Sequence, residues 1–251
     1  MWDRPLCDGG LMSTPLRDAV QLWYLHEHDV DDVQAAAYLD LLTADEVERY
    51  HRFRCESAQR QFLLARGLLR STLSRYVPVD PQAWRFATNG HGKPFVVAPQ
   101  TYGLQFNVSH TRGMVCCAIT QDRDVGVDVE WLDRRVNLGI ADRYFAPSEV
   151  DQLRRAPQEE QQRVFLRFWT LKESYIKARG LGLAIPLSDF WFDLPENHPP
   201  SVTVAASQND RSDRWQFFEQ EFTSKHRLAV AVEESHGRFP EVMCHRAEVC
   251  I

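Results

Sequence analysis

The sequence predicts an α+β fold made of two similar halves that meet near residues 121–125. The halves are expected to be related by a pseudo-twofold, with the active site in the cleft between them. Two observations lead there. Alternating, strand-like runs and a long helix-spaced run follow one another in a similar order on both sides of that point. In addition, Arg60-Gln61-Phe62-Leu63-Leu64-Ala65-Arg66 in the first long helical run is echoed by Arg163-Val164-Phe165-Leu166-Arg167-Phe168 in the second. The expected division is an irregular lead-in over 1–19, a first half over 20–123 and a second over 124–251. Ligands commonly bind in clefts between such units.

In the first half, Val20 to Leu25 reads as a strand. Thr43 followed by Glu46 forms a capping box that opens a helix. From Ser57 to Arg75 apolar residues recur with helical spacing until Pro78 and Pro81 stop the run. Gly90-His91-Gly92-Lys93-Pro94 is a turn, and 105–109 and 114–120 are strands joined through Thr111-Arg112-Gly113. In the second half a strand at 125–131 precedes a helix starting near Pro147-Ser148-Glu149. A longer helix over 159–179 ends at Gly180, which suits a left-handed helix terminus. Strand-like runs follow at 201–206, 214–222 and 227–233.

Composition narrows the function classes. A net charge of −6 argues against a general nucleic-acid binder, which needs a basic face. No apolar run reaches the roughly 20 residues of a membrane span, and no secretory signal is evident in the first 25 residues. Six cysteines, at 7, 55, 116, 117, 244 and 250, form no CxxC pair, and Cys and His lack zinc-site spacing. Reduced thiols in a cytoplasmic protein are expected.

The residues that carry chemistry lie on two elements. Val125, Val127 and Val129 alternate with Gly126, Asp128 and Glu130, so a strand places both carboxylates on one face, about 7 Å apart. Glu173 and Lys177 are four apart and share one helix face. Together these groups can hold a hard cation and a phosphate. Each also has an ordinary reading: acids on a solvent-facing strand, and a surface i,i+4 ion pair. His110, at the end of Asn107-Val108-Ser109-His110, suits either a phosphate or a turn carbonyl, and Lys93 suits an anion or plain solvent. Ser109 and His110 are adjacent on an extended chain, so they face opposite sides and make a poor nucleophile and base.

Taken in order, Gly92-Lys93-Pro94, Asn107-Val108-Ser109-His110, Gly126-Val127-Asp128-Val129-Glu130 and Trp169-Thr170-Leu171-Lys172-Glu173-Ser174-Tyr175-Ile176-Lys177 resemble the 4′-phosphopantetheinyl transferase superfamily, surfactin-synthetase-activating type. The likeness runs from about Leu42 to Leu194. It implies transfer of the 4′-phosphopantetheine arm of coenzyme A onto a serine of an apo acyl or peptidyl carrier protein, with release of adenosine 3′,5′-bisphosphate. The carrier would serve fatty-acid, polyketide or nonribosomal-peptide synthesis. By resemblance Asp128, Glu130 and Glu173 would bind Mg2+, Lys177 the pyrophosphate, and Arg60, Lys93 and His110 the nucleotide portion. The proton acceptor would be Glu173 or Glu149, with Glu173 favoured because it sits at the metal. One departure is the acidic stretch Ala44-Asp45-Glu46-Val47-Glu48, where relatives carry lysines. Two rival readings use the same residues: a Mg2+-dependent phosphohydrolase, and a non-catalytic binder of coenzyme A or a carrier. With both halves in one chain, a monomer is expected.

Overall fold

The computed structural model describes residues 16–196, 198–234 and 240–248. Most of the expected lead-in therefore lies outside the described residues, as do Cys7 and Cys250. The remaining cysteines, at 55, 116, 117 and 244, are free thiols.

In the first half, β1 (Ala19–His26) leads into α1 (Asp32–Asp40), α2 (Ala44–His51) and the long α3 (Glu56–Tyr76). Thr43 and Glu46 make the predicted reciprocal cap of α2, and Asp31 with Gln34 makes a second capping box on α1. Glu46 has a further task. Its Oε2 accepts two bonds from the buried Arg70, at 2.6 and 3.2 Å. Then come a small hairpin, β2 (Arg85–Thr88) and β3 (Pro94–Ala98), which flanks the Gly-Lys-Pro turn, and the larger hairpin β4 (Leu104–Thr111) and β5 (Met114–Gln121).

The second half runs β6 (Val125–Trp131), α4 (Gly139–Tyr144), α5 (Pro147–Arg155) and α6 (Gln161–Arg179). It continues through β7 (Phe190–Asp193) and β8 (Ser201–Val204) to the hairpin β9 (Trp215–Thr223) and β10 (His226–Glu233). A last strand, β11, covers Glu241–Arg246.

The two halves share one connectivity: a leading strand, a long helix, then a hairpin whose second strand pairs antiparallel with the leading strand. The result is the order β1-β5-β4 in one half and β6-β10-β9 in the other. The expectation of two similar α+β halves thus holds at the level of topology. Residues after 240 depart from the division drawn at 123/124. β11 runs back to the first sheet and pairs in parallel with β1, from Ala19 opposite Glu241 to Tyr24 opposite Arg246. It covers the edge of β1 that β5 leaves open, an edge that would otherwise expose unpaired peptide groups.

Packing follows from the period-two alternation of the strands. Val125, Val127 and Val129 join Val20, Leu22, Met114, Cys116, Leu228, Val230 and Val232 in an apolar layer shared by the two sheets. Helix α3 covers the other face of the first sheet, with Leu64, Leu68 and Leu73 packed beside Val115, Cys117 and Ile119. Helix α6 does the same in the second half through Phe168, Leu171, Tyr175 and Ala178, against Ala229 and Ala231. The valine run therefore buries itself between the sheets, while Gly126, Asp128 and Glu130 face α6.

The sheets meet edge to edge where β4 lies beside β6, and side chains rather than peptide groups make the seam. Asn107 Oδ1 accepts from the Val127 N–H at 2.9 Å, Ser109 Oγ from Val129 at 3.2 Å, and Thr111 Oγ1 from Trp131 at 3.3 Å. Three alternate residues of β4 thus satisfy three alternate donors on the edge of β6.

Gly126 sets how closely α6 can approach. A Cβ there would lie 2.0 Å from the Ser174 carbonyl oxygen and 2.4 Å from the Ala178 nitrogen, both backbone atoms that cannot rotate away. Gly126→Ala is expected to destabilise the fold by about 1–3 kcal/mol, the usual cost of overpacking. It should also lower any activity that needs Glu173 and Lys177 beside Asp128. Wild-type stability in urea unfolding, with unchanged activity, would show that α6 is not seated by this contact.

Candidate active site

The site grows from that close approach. Helix α6 crosses β6 at Gly126 and brings Lys177 onto Asp128, with Nζ to Oδ1 at 2.5 Å. Ser109 completes the group from β4. Its hydroxyl donates to Asp128 Oδ1 at 3.1 Å, and its oxygen accepts from Lys177 Nζ at 3.0 Å. With the Val129 N–H this saturates the hydroxyl, one donor and two lone pairs. Asp128 is buried, and its second oxygen, Oδ2, is buried without a hydrogen-bond partner. Glu130, two residues along on the same face, is also buried and accepts from Arg134 Nη1 at 2.6 Å.

Two cavities open from this point and share Val108 and Lys177. The larger, about 500 Å³, is lined by Asp128, Glu130, Ser109, His110, Arg112 and Arg134 among others. The smaller, about 260 Å³, runs under the Gly-Lys-Pro turn and includes Lys93, Asn107, Glu173 and Ile176. The carboxylates feel one another. Burial and then Asp128 push Glu130 up to about 7, with Arg134 opposing. Burial and then Asp128 also raise Glu173, with Lys177 and Arg134 opposing. Crowded acids of this kind mark places where a cation is wanted.

Among the described residues, no cluster of three or more His, Cys, Asp or Glu converges as a ready metal-ligand set. The residues nevertheless fit a hard divalent cation. Asp128 Oδ2 is a buried anionic oxygen with no donor, and Glu130 and Glu173 are both raised by burial and then by the Asp128 charge, which such an ion would neutralise.

The remaining sequence candidates divide. His110 lines the larger cavity. Lys93 lines the smaller one, but its ammonium is engaged at the C-terminal end of α6, donating to the Ala178 carbonyl at 2.7 Å. Burial lowers its pKa, with Asp124 and Glu233 opposing. Asn89 joins it there, donating to the Gly180 carbonyl at 2.7 Å. Gly180 has the left-handed conformation expected of it, at φ 64°. Arg60 lines neither cavity. Its guanidinium holds the Val30 carbonyl, and the Glu27 carbonyl at 3.4 Å, which pins the loop after β1 to α3.

Glu149 is not in the cleft. It is fully buried, 2.8 Å from the equally buried Lys172, and accepts from the Ala146 and Phe192 N–H groups at 3.0 Å each. Lys172 spends its other donors on the carbonyls of Leu187 and Phe190. This pair is an anchor within the second half and cannot act on a bound substrate. The acidic stretch 44–48 also finds a structural use, since Glu46 serves Arg70, while Arg52 pairs with Glu48 and Arg49 lies over the Phe62 ring.

Ser109 and Arg134 were not among the predicted site residues. The signal for Ser109 was the alternation of Asn107, Ser109 and Thr111, all small polar residues on one strand face. Nothing in the sequence distinguished Arg134 from its neighbour Arg135.

The end of α6 that carries Lys177 is fixed by Asp210. Its Oδ2 accepts from Tyr175 Oη at 2.7 Å, Arg179 Nη1 at 2.7 Å and Trp215 Nε1 at 2.8 Å. Burial alone would raise the Asp210 pKa, but the Tyr175 and Trp215 donors and the Arg179 charge hold it below its ordinary value. A lowered carboxylate pKa adds stability above the unfolded value of about 3.9 and loses it as pH falls through the folded one. Asp210→Asn should therefore flatten the acid limb of a stability–pH curve below about pH 4. An unchanged limb in denaturant titrations would sink that assignment.

Residues 124–232 match a family model described as the 4′-phosphopantetheinyl transferase superfamily, and 29–122 match one described as 4′-phosphopantetheinyl transferase, N-terminal. The chain is 38% identical over 194 residues to the 4′-phosphopantetheinyl transferase HetI of Nostoc sp., covering 76% of this chain and 81% of that one. It is 31% identical to the 4′-phosphopantetheinyl transferase Sfp of Bacillus subtilis, covering 65% of this chain and 75% of that one. Among solved structures, the holo-[acyl-carrier-protein] synthase of Thermotoga maritima aligns at a TM-score of 0.37 and 23% identity, over 45% of this chain and 64% of that one. With matched sequence on both sides of the cleft and the identity to HetI, the chain belongs to the 4′-phosphopantetheinyl transferase superfamily.

Proposed function

We propose that this enzyme moves the 4′-phosphopantetheine arm of coenzyme A onto a serine hydroxyl of an apo acyl or peptidyl carrier protein, using Mg2+ and releasing adenosine 3′,5′-bisphosphate. The observation that carries this reading is Asp128, a buried carboxylate with one free oxygen, on the wall of the larger cavity and in contact with Lys177, which lines both cavities.

Asp128, Glu130 and Glu173 would hold the metal. When bound it neutralises charge on the pyrophosphate and on the leaving bisphosphate. Lys177, on the wall shared by both cavities, would hold a pyrophosphate oxygen. His110 faces the larger cavity and would meet phosphate there. Lys93 contributes first by capping α6, and Arg60 by holding its loop.

In the reaction the serine oxygen attacks the pantetheine-side phosphorus, the anhydride P–O bond breaks, and the serine proton must leave. Glu173 is the acceptor we favour. It lines the smaller cavity beside Lys177, the side chain proposed to hold the pyrophosphate, which would put it near the reacting phosphorus. Glu149, locked in the core with Lys172, drops out of that role.

The enzyme is proposed to work as a monomer, because both sides of the cleft come from one chain. A cytoplasmic site of action fits its free thiols, and no helix among the described residues is long and apolar enough to cross a membrane. Incubation with coenzyme A, Mg2+ and a panel of apo carriers should add one phosphopantetheine arm to a carrier serine, read by intact mass. Folded enzyme that modifies none of them would refute the proposal, and bisphosphate release without a carrier would point to hydrolysis instead.

A further inference from the structure

Two of the cations in the cleft sit directly on its acids, and they bear on the metal-binding reading given above. Arg134, in the loop after β6, donates Nη1 to Glu130 Oε1 at 2.6 Å, and its guanidinium lies 6.0 Å from the Trp169 ring centre. Its charge also acts on Glu173. Lys177 plays the matching part at Asp128. Asp128 and Glu130 are each turned to their own cation, and among the described residues no three acids converge on one point. Asp128 Oδ2 is left over, buried and without a donor, on the wall of the same cavity that Arg134 lines.

We infer that Arg134 is a placeholder cation: in the metal-free enzyme it holds Glu130 in the cleft and competes with a divalent ion for that carboxylate. On one carboxylate a guanidinium and a divalent cation repel each other, which weakens the metal's hold on Glu130 for as long as Arg134 stays on Oε1. The apparent metal affinity is then reduced by the fraction of molecules in which Glu130 is still paired. Arg134 is about a third exposed, at 37%, so the pair is partly screened and its strength modest. The corresponding penalty on metal binding is about three- to tenfold. Once displaced, the arginine remains at the wall of the larger cavity, where the anionic substrate would meet it.

The test is direct Mn2+ titration of the full chain without coenzyme A, followed by electron paramagnetic resonance of the free ion. Arg134→Gln should bind Mn2+ about three- to tenfold more tightly than wild type, and Arg134→Lys by less. Arg112→Gln measures the effect of simply removing a positive charge from the same cavity, because Arg112 lies over Trp131 rather than on a carboxylate. In a Glu130→Gln background the Arg134→Gln gain should disappear, since the displaced contact is gone. Equal affinities for wild type and Arg134→Gln, a gain no larger than that of Arg112→Gln, or a gain that survives Glu130→Gln would each overturn the inference. If neither wild type nor Arg134→Gln binds Mn2+, the metal reading falls together with it. Tight binding by wild type that Arg134→Gln leaves unchanged removes only the placeholder.

Discussion

Asp128→Ala is expected to lower phosphopantetheine transfer by about 10³-fold or more, with little change in the unfolding midpoint. Asp128 contacts Lys177 and Ser109 and also keeps a buried oxygen free for a metal. Removing a charge-stabilising group aimed at the reacting centre commonly costs 10²–10³ in rate, and here the metal and the alignment of Lys177 are lost together. The fold should tolerate the change. Lys177 is 28% exposed and can turn to water, and the β4–β6 seam runs through Asn107, Ser109 and Thr111 rather than through Asp128. Asp128→Asn separates shape from charge and should be nearly as inactive. Transfer within tenfold of wild type by either variant would remove Asp128 from the chemistry.

The second large effect is on stability. Breaking the Glu149–Lys172 pair from either side leaves one charge in a site with no solvent access, a loss of about 3–5 kcal/mol. Glu149→Ala and Lys172→Met should each lower the thermal midpoint by about 10 °C for a chain of this size. Glu149→Ala also abandons the N–H groups of Ala146 and Phe192. The double variant Glu149→Leu/Lys172→Met should regain much of the loss, because burying two apolar groups avoids the unpaired charge. Calorimetry showing single-variant losses under 1 kcal/mol would contradict the structural role and return Glu149 to consideration as a base.

Much of this protein was legible in its residues. The Thr43–Glu46 cap, the stop before Pro78 and the left-handed Gly180 are local signals, and each is where it was expected. The valine alternation correctly put Asp128 and Glu130 on one face, because side-chain direction in a strand depends only on the backbone repeat. Short or exposed elements left weaker traces. Helix α1 has few apolar anchors, β2 and β3 are short and partly exposed, and β11 exists only because β1 offers it an edge.

The roles of charged residues divided along the same line. Glu149 and Glu173 are both glutamates on helices, and their spacing does not say which enters the core; packing against Lys172 decided it for Glu149. Arg60 and Lys93 carry charges suited to phosphate, yet the structure turns each to backbone carbonyls.

The α+β halves, the two-acid strand face and the Glu/Lys helix face can be read from the residues alone, because strand and helix periodicities are local properties of the chain. That these two elements meet is a matter of packing between distant parts of the chain. Gly126 has no side chain to hold α6 away, and at that distance Lys177 reaches Asp128 while Asp128 Oδ2 stays free.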